Sequence, residues 1–220
     1  MDDNYILSHI DHTLLSSTAT WSEIEKLCKD AVKYKTASIC VPPCYVKRIR
    51  AAFPDINICT VVGFPLGYDV LAVKALAVQA AIEDGADEVD MVINQTDVKN
   101  GDFETISTEI QVLKQIIGNK ILKVIIETCN LTKEEKIKLC KIVTESGADY
   151  IKTSTGTASA GATLEDIRLF KKHIGENLKM KAAGGIKTRE DMVAFLEAGC
   201  SRLGTSSAVK ILTGEKADGY

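Results

Sequence analysis

The sequence predicts an α/β fold, a single-domain (β/α)8 TIM barrel spanning residues 1–220. Three observations carry this expectation. Short β-branched runs alternate with longer segments of helical period, in eight units of roughly 20 to 35 residues. Three helical segments end alike, at Asp84-Gly85-Ala86-Asp87, Ser146-Gly147-Ala148-Asp149 and Ala198-Gly199-Cys200-Ser201. Each glycine there suits the left-handed position that closes a helix. The alternative, a doubly wound sheet, usually has fewer strands and a Gly-x-Gly-x-x-Gly first turn, which this chain lacks. No linker, low-complexity segment or charge block divides the chain.

Taken in order, strands are expected at residues 8–14, 37–41, 58–63, 88–94, 122–127, 150–154, 179–183 and 202–205. Helices are expected between them at 21–34, 44–52, 70–84, 103–117, 133–146, 164–173 and 189–198, with a short last helix after Ser207. Thr132 three residues before Glu135, and Thr188 three before Asp191, mark two helix starts as capping boxes. Gly118 and Gly175 occupy places like those of the three repeated helix stops.

Composition excludes several classes. Apolar residues make up 45% and charged residues 26%, the balance of an ordinary globular protein. A net charge of -3 without a long basic run argues against nucleic acid and anionic membranes as partners. The start Met1-Asp2-Asp3-Asn4 lacks the basic and apolar regions of a signal peptide. No apolar run approaches the ~18 residues of a membrane span, so a cytoplasmic chain is expected. The seven cysteines are odd in number and show no Cys-x-x-Cys spacing. They point to neither a disulfide framework nor a zinc site and read as buried reduced thiols.

The stretch from Asp149 to Gly161 carries the chemistry. Lys152 lies in a short strand pattern that runs into small hydroxyl and glycine residues. An unpaired lysine in a buried strand is costly, so it must pair, lose its proton or react. Strand side chains alternate faces. With Ile151 toward the helices, Lys152 points into the barrel; with Met180 toward the helices, so does Lys181 on the next strand. Adjacent ammonium groups disfavour each other's ionisation, and a neutral amine attacks a carbonyl to form a Schiff base. Asp90 is the nearest carboxylate to pair with the second lysine or to move protons. Other polar residues gather at strand ends, where barrel sites lie: Asp11, His12 and Thr13, then Cys40, Asn94, Lys123 and Glu127.

A phosphate site is expected in the loops after strands seven and eight. Gly184-Gly185-Ile186-Lys187 offers unhindered amides and a cation. Gly204-Thr205-Ser206-Ser207 leads into a short helix N-terminus. Gly156 and Thr157 close the third side.

These residues fall in blocks that resemble the deoxyribose-phosphate aldolases, a class I aldolase family. The blocks are Ile10-Asp11-His12-Thr13-Leu14-Leu15, Thr60-Val61-Val62-Gly63-Phe64-Pro65-Leu66-Gly67, Glu88-Val89-Asp90-Met91-Val92-Ile93-Asn94, Lys123-Val124-Ile125-Ile126-Glu127-Thr128, Ile151-Lys152-Thr153-Ser154-Thr155-Gly156 and Lys181-Ala182-Ala183-Gly184-Gly185-Ile186-Lys187-Thr188. They run through nearly the whole chain in family order. The resemblance implies a (β/α)8 barrel that reversibly cleaves 2-deoxy-D-ribose 5-phosphate to acetaldehyde and D-glyceraldehyde 3-phosphate. It implies Lys152 as the Schiff-base lysine, Lys181 as the neighbour that lowers its pKa, Asp90 as the proton-transfer carboxylate, and a matching carboxylate at Asp11. It further implies a cysteine beside the site at Cys40, a C-terminal tyrosine (Tyr220) that reaches the site in some members, no cofactor, no metal, and a homo-oligomer, dimer or tetramer. The chain departs from many relatives at Lys187, where arginine is common, and at Thr157, Ser16-Ser17 and Pro42.

Blander readings stand beside these. Lys152 could be a structural ion-pair lysine. His12 reads as a structural histidine, Trp21 and Tyr5 as packing residues. Lys123 and Glu127 could pair within the barrel. Two further functions fit a lysine beside a phosphate site: a pyridoxal-phosphate barrel and a non-catalytic sugar-phosphate binder.

Overall fold

The computed structural model describes residues 1–214; Tyr220, and with it the expected C-terminal contact to the site, lies outside the described residues. In chain order the elements are α1 (Asp3–Leu7), β1 (Ile10–Thr13), α2 (Trp21–Tyr34), β2 (Ser38–Val41), α3 (Val46–Ala52), β3 (Ile58–Val62), α4 (Leu71–Glu83) and β4 (Glu88–Val92). They continue with α5 (Gln95–Asn100), α6 (Phe103–Ile117), β5 (Ile121–Ile125), α7 (Lys133–Glu145), β6 (Tyr150–Lys152), α8 (Leu164–His173), β7 (Lys179–Ala183), α9 (Arg189–Glu197), β8 (Arg202–Thr205) and α10 (Ala208–Thr213). The strands close as a parallel barrel in sequence order, with β1 pairing both β2 and β8. The expected (β/α)8 barrel is what forms. No helix among the described residues is long and apolar enough to cross a membrane.

Local signals explain the boundaries. Both expected capping boxes form, Thr132 with Glu135 and Thr188 with Asp191, and a third forms at Thr20 and Glu23. Gly85, Gly147 and Gly199 take positive φ and end their helices. Gly175 does not: α8 ends on an extended Ile174, and Gly175 is required instead by close approach, since a Cβ there would sit 2.4 Å from Thr144 Cγ2. The sequence missed α1 and α5, short helices whose N-caps Asp2 and Asn94 hold the first amides. The expected strand at 8–14 therefore shrinks to four residues, and His9 stands between α1 and β1.

The outward faces of the strands pack on the helices. Ile10, Ile39, Ile58, Val89, Met91, Val124, Ile151, Met180, Ala182 and Leu203 all belong to one apolar layer that surrounds the barrel. Facing outward from β1 into that layer, His12 is 5% exposed, and its Nδ1 has no hydrogen-bond partner. Burial pushes its imidazole down to about 4; Asp30 on α2 opposes this and Lys26 assists it.

This makes His12 a source of pH-dependent stability. The unfolded chain takes up a proton near pH 6.5 that the folded chain refuses until about pH 4. Stability therefore falls as pH drops below 6.5, by up to about 1.4 kcal/mol per pH unit from this residue. His12→Gln is expected to flatten that part of the curve, measured as urea midpoints between pH 4.5 and 7.

Candidate active site

Two lysines, Lys152 at the end of β6 and Lys181 in the middle of β7, are register partners on neighbouring strands, both pointing inward as expected. They do not touch as bare like charges. Asp90, from the middle of β4, stands between them: its Oδ2 lies 2.7 Å from Lys152 Nζ and 2.7 Å from Lys181 Nζ. Its Oδ1 accepts from Lys123 Nζ at 2.8 Å and from the Cys59 thiol at 3.1 Å. One buried carboxylate thus holds three lysine amines.

Below this lies a second tier. Asp11 accepts from Lys181, from Arg202 Nη1 at 2.5 Å and from Ser38 Oγ at 2.7 Å. Glu88 accepts from Arg202 Nη1 at 3.1 Å and from Asn57 Nδ2 at 2.8 Å, and it also pairs with Lys123. Burial works against every one of these charges. At Asp90 the three lysines outweigh it, Lys123 foremost, and hold the carboxyl well below the usual range. At Lys181, Asp11 and Asp90 outweigh burial and hold the ammonium above the usual lysine range. Lys123 is likewise held up, chiefly by Asp90. Lys181 therefore acts on its neighbour as a fixed cation.

Among the described residues the barrel interior carries four cations (Lys123, Lys152, Lys181, Arg202) against three carboxylates (Asp11, Glu88, Asp90). With all ionised, one positive charge is in excess. The assembly balances when one amine is neutral.

A cavity of about 610 Å³ opens above the network at the C-terminal ends of the strands. Lys152 lines it; Lys181, Asp90 and Asp11 lie beneath, fully buried. Thr13, Gly156, Thr157, Gly184, Gly185, Ile186, Lys187, Gly204, Ser206 and Ser207 also line it. So do Leu15, Phe64 and Thr155, which the strand pattern did not single out. The glycines are needed for close approach. Gly184 has φ +80°, and a Cβ on Gly161 would lie 2.2 Å from the Gly184 carbonyl oxygen, so two loops touch backbone to backbone beside the cavity. Lys187 is exposed at its rim.

Two expectations are corrected. Cys40, expected beside the site among the substrate-binding residues, lies outside the cavity lining and is fully buried, in one cluster with Cys59 and Val61 against which Leu15 and Phe64 pack. Lys123 and Glu127 do not pair. Glu127 follows the end of β5 in a left-handed conformation (φ +52°), which breaks the alternation that would have aimed it inward. It accepts instead from the Thr155 amide and hydroxyl. Strand parity could have found Glu88 and Arg202, since each stands two residues before a residue already singled out, Asp90 and Gly204.

Arg202 is expected to matter for stability. Arg202→Met leaves Asp11 and Glu88 short of a buried counter-charge, and breaking one side of such a pair costs about 3–5 kcal/mol. The check is a lowered urea midpoint with unchanged slope.

Residues 5–210 match the sequence profile described as DeoC/LacD family aldolase. The chain is 59% identical over 221 residues to the deoxyribose-phosphate aldolase of Clostridium botulinum (strain Eklund 17B / Type B), covering 100% of both chains. It is 55% identical over 217 residues to that of Clostridioides difficile (strain 630), covering 98% of this chain and 99% of the relative. Among solved structures, the tetrameric deoxyribose phosphate aldolase from Aeropyrum pernix superposes with a TM-score of 0.88 at 30% identity, over 97% of this chain and 92% of the other. A structure described as QR15, an aldolase, superposes with a TM-score of 0.91 at 35% identity, over 95% of each chain. With an inward lysine pair at the floor of a glycine-lined cavity and relatives matched from end to end, the chain belongs to the DeoC/LacD aldolase family.

Proposed function

We propose that this chain cleaves 2-deoxy-D-ribose 5-phosphate reversibly to acetaldehyde and D-glyceraldehyde 3-phosphate, with Lys152 as the Schiff-base nucleophile. The observation that carries the assignment is positional: Lys152 is the one amine of the charged network that lines the cavity, while it shares Asp90 Oδ2 with Lys181. A neutral Lys152 leaves the network balanced, and Lys181 keeps its charge beside it.

The steps follow from that arrangement. The Lys152 amine attacks the C1 aldehyde carbon of the open-chain sugar, and loss of water gives a protonated imine. Removal of the C3 hydroxyl proton sends the C2–C3 bonding electrons into the imine. Glyceraldehyde 3-phosphate leaves and an enamine remains on Lys152. Protonation at C2 restores the imine, and water releases acetaldehyde and the free amine. Asp90, in contact with both amines, orients Lys152 and lies on the path for its proton; Asp11 anchors Lys181 from below. The imine itself takes up the electrons, so the steps call on no metal or organic cofactor. The phosphate fits the rim made by Gly184, Gly185, Lys187, Ser206 and Ser207, with Gly156 packed against Gly184 and Thr157 next to it in the chain.

Association into a homo-oligomer is part of the same reading. Leu66, Tyr68, Val70, Val73 and Leu76 are each more than half exposed along the loop before α4 and its outer face. Such a face suits burial against another copy. The A. pernix relative is described as tetrameric. A cytoplasmic location fits seven free cysteines.

Borohydride added during turnover of deoxyribose 5-phosphate is expected to fix a reduced adduct on Lys152, located by peptide mass mapping. An adduct on Lys181 would exchange the two lysine roles, and no adduct with phosphate binding intact would leave a non-catalytic binder. Lys152→Ala should lower kcat by at least about 1,000-fold. Lys187→Ala should raise KM by about tenfold with kcat little changed, as loss of one charge-assisted contact implies. Leu76→Glu should shift the elution volume toward the monomer if the α4 face is the contact.

A further inference from the structure

We propose that Cys40 and Cys59 are a switchable dithiol, closing to a disulfide under a hydroperoxide and reopening on reduction, and that closure disables the amine network beside it.

The pair is a product of strand register. Cys40 on β2 and Cys59 on β3 are direct partners across parallel strands. Neighbouring strands lie about 4.8 Å apart, inside the Cα range a disulfide spans without backbone movement. Both side chains point into the barrel and are fully buried. Their sulfurs lie within 4.8 Å of each other and of an Asp90 carboxylate oxygen. Leu15 and Phe64 pack on the cluster that the two cysteines form with Val61 and also line the cavity, so the cluster sits one layer of side chains below it.

The two sulfurs are chemically unequal. The neighbouring Cys59 side chain, helped by Lys181 and Lys152 and opposed by burial and Asp90, lowers the Cys40 thiol below its usual value. Burial, followed by the Cys40 contact, holds Cys59 well above it. A low-lying thiol beside a resolving thiol is the pairing of a peroxide-sensitive site; with both sulfurs buried, hydrogen peroxide must pass the layer of Leu15 and Phe64 to reach it. The other buried thiols, Cys28, Cys140 and Cys200, are pushed up by burial to about 12 and stay protonated.

The chemistry balances with hydrogen peroxide as oxidant. The Cys40 thiolate attacks one peroxide oxygen; the S–O bond forms, the O–O bond breaks, and the released hydroxide takes up the proton Cys40 shed. Cys59 sulfur then attacks Cys40 sulfur and displaces hydroxide, which leaves as water with the Cys59 proton. Two thiols are oxidised by two electrons in all, and one peroxide is reduced to two waters. Closure removes the Cys59 S–H that donates to Asp90 Oδ1 at 3.1 Å and moves the sulfur that accepts from Lys123 Nζ at 3.2 Å. Asp90 is the carboxylate that holds Lys152.

The disulfide does not depend on the aldolase reading; its effect on turnover rests on it. The test uses the full chain carrying Cys44→Ser, because Cys44 shares with Cys40 the peptide between Lys35 and Lys47. The protein is treated with hydrogen peroxide, blocked with N-ethylmaleimide, digested and mapped by mass, and aldol cleavage is measured before and after dithiothreitol. The expected result is a linked peptide pair carrying Cys40 and Cys59. Turnover should fall by about 10- to 100-fold, the scale of a displacement near 1 Å in supporting groups, and dithiothreitol should restore it. With Cys59→Ala the linked pair is absent and the loss relative to that variant's own reduced activity is no longer recovered, since Cys40 proceeds to sulfinic acid. Irreversible loss without a linked pair in the Cys44→Ser protein, or a linked pair with undiminished turnover, overturns the switch. A reduced protein without aldolase activity would sink the aldolase reading and with it the control of turnover, while the mass map would still report whether the pair closes.

Discussion

The Asp90 carboxylate is the interaction on which the rest depends. It is fully buried, yet it stays ionised because three lysines and a thiol surround it. Remove it, and Lys152 loses its ion-pair partner while Lys123 and Lys181 each keep only their lower-tier carboxylates. An uncompensated charge in such a place is far more costly than the pair itself is favourable. The interior of this barrel is therefore mutually conditional: each charge is tolerable only because the others are present. Branched apolar side chains usually fill such a barrel. Here much of that space goes to ions, while the apolar layer between strands and helices supplies the hydrophobic stabilisation.

Depth sorts the charges into roles. Lys152 meets the cavity, Asp90 and Lys181 lie directly beneath, and Asp11, Glu88, Lys123 and Arg202 complete the pairing below. A reactive amine needs both a supporting charge distribution and a route to substrate. The lower tiers supply the first and cannot supply the second. The lining combines touching glycine backbones with apolar Leu15 and Phe64. The two cysteines belong to the cluster on which Leu15 and Phe64 pack.

Outside the barrel, α4 reverses the usual order of a surface helix. It buries Lys74 and exposes Val73 and Leu76. Lys74 is satisfied by Glu109 Oε1 at 2.8 Å and by the Val92 carbonyl at 2.9 Å, which ties α4 to α6 and to the end of β4.

Much of this was legible in the chain. Helix ends are local: a threonine three residues before an acid, or a glycine after the last turn, acts on its own backbone, and so Gly85, Gly147 and Gly199 could be read directly. Facing is nearly local, because alternation within a strand sends Lys152 and Lys181 inward once Ile151 and Met180 face the helices. It fails where the backbone leaves the strand, as at Glu127. Local pattern thus determined the eight units, the two inward lysines and the glycine-lined rim. Partnership is another matter. Asp90 meets Lys152 across 62 residues and Lys181 across 91, and Lys181 meets Asp11 across 170. Cys40 meets Cys59 only through the register of β2 on β3. Which charge neutralises which, and which amine opens to the cavity, were decided by closure of the barrel, because distances across its interior depend on how all eight strands are staggered and not on the periodicity of any one of them.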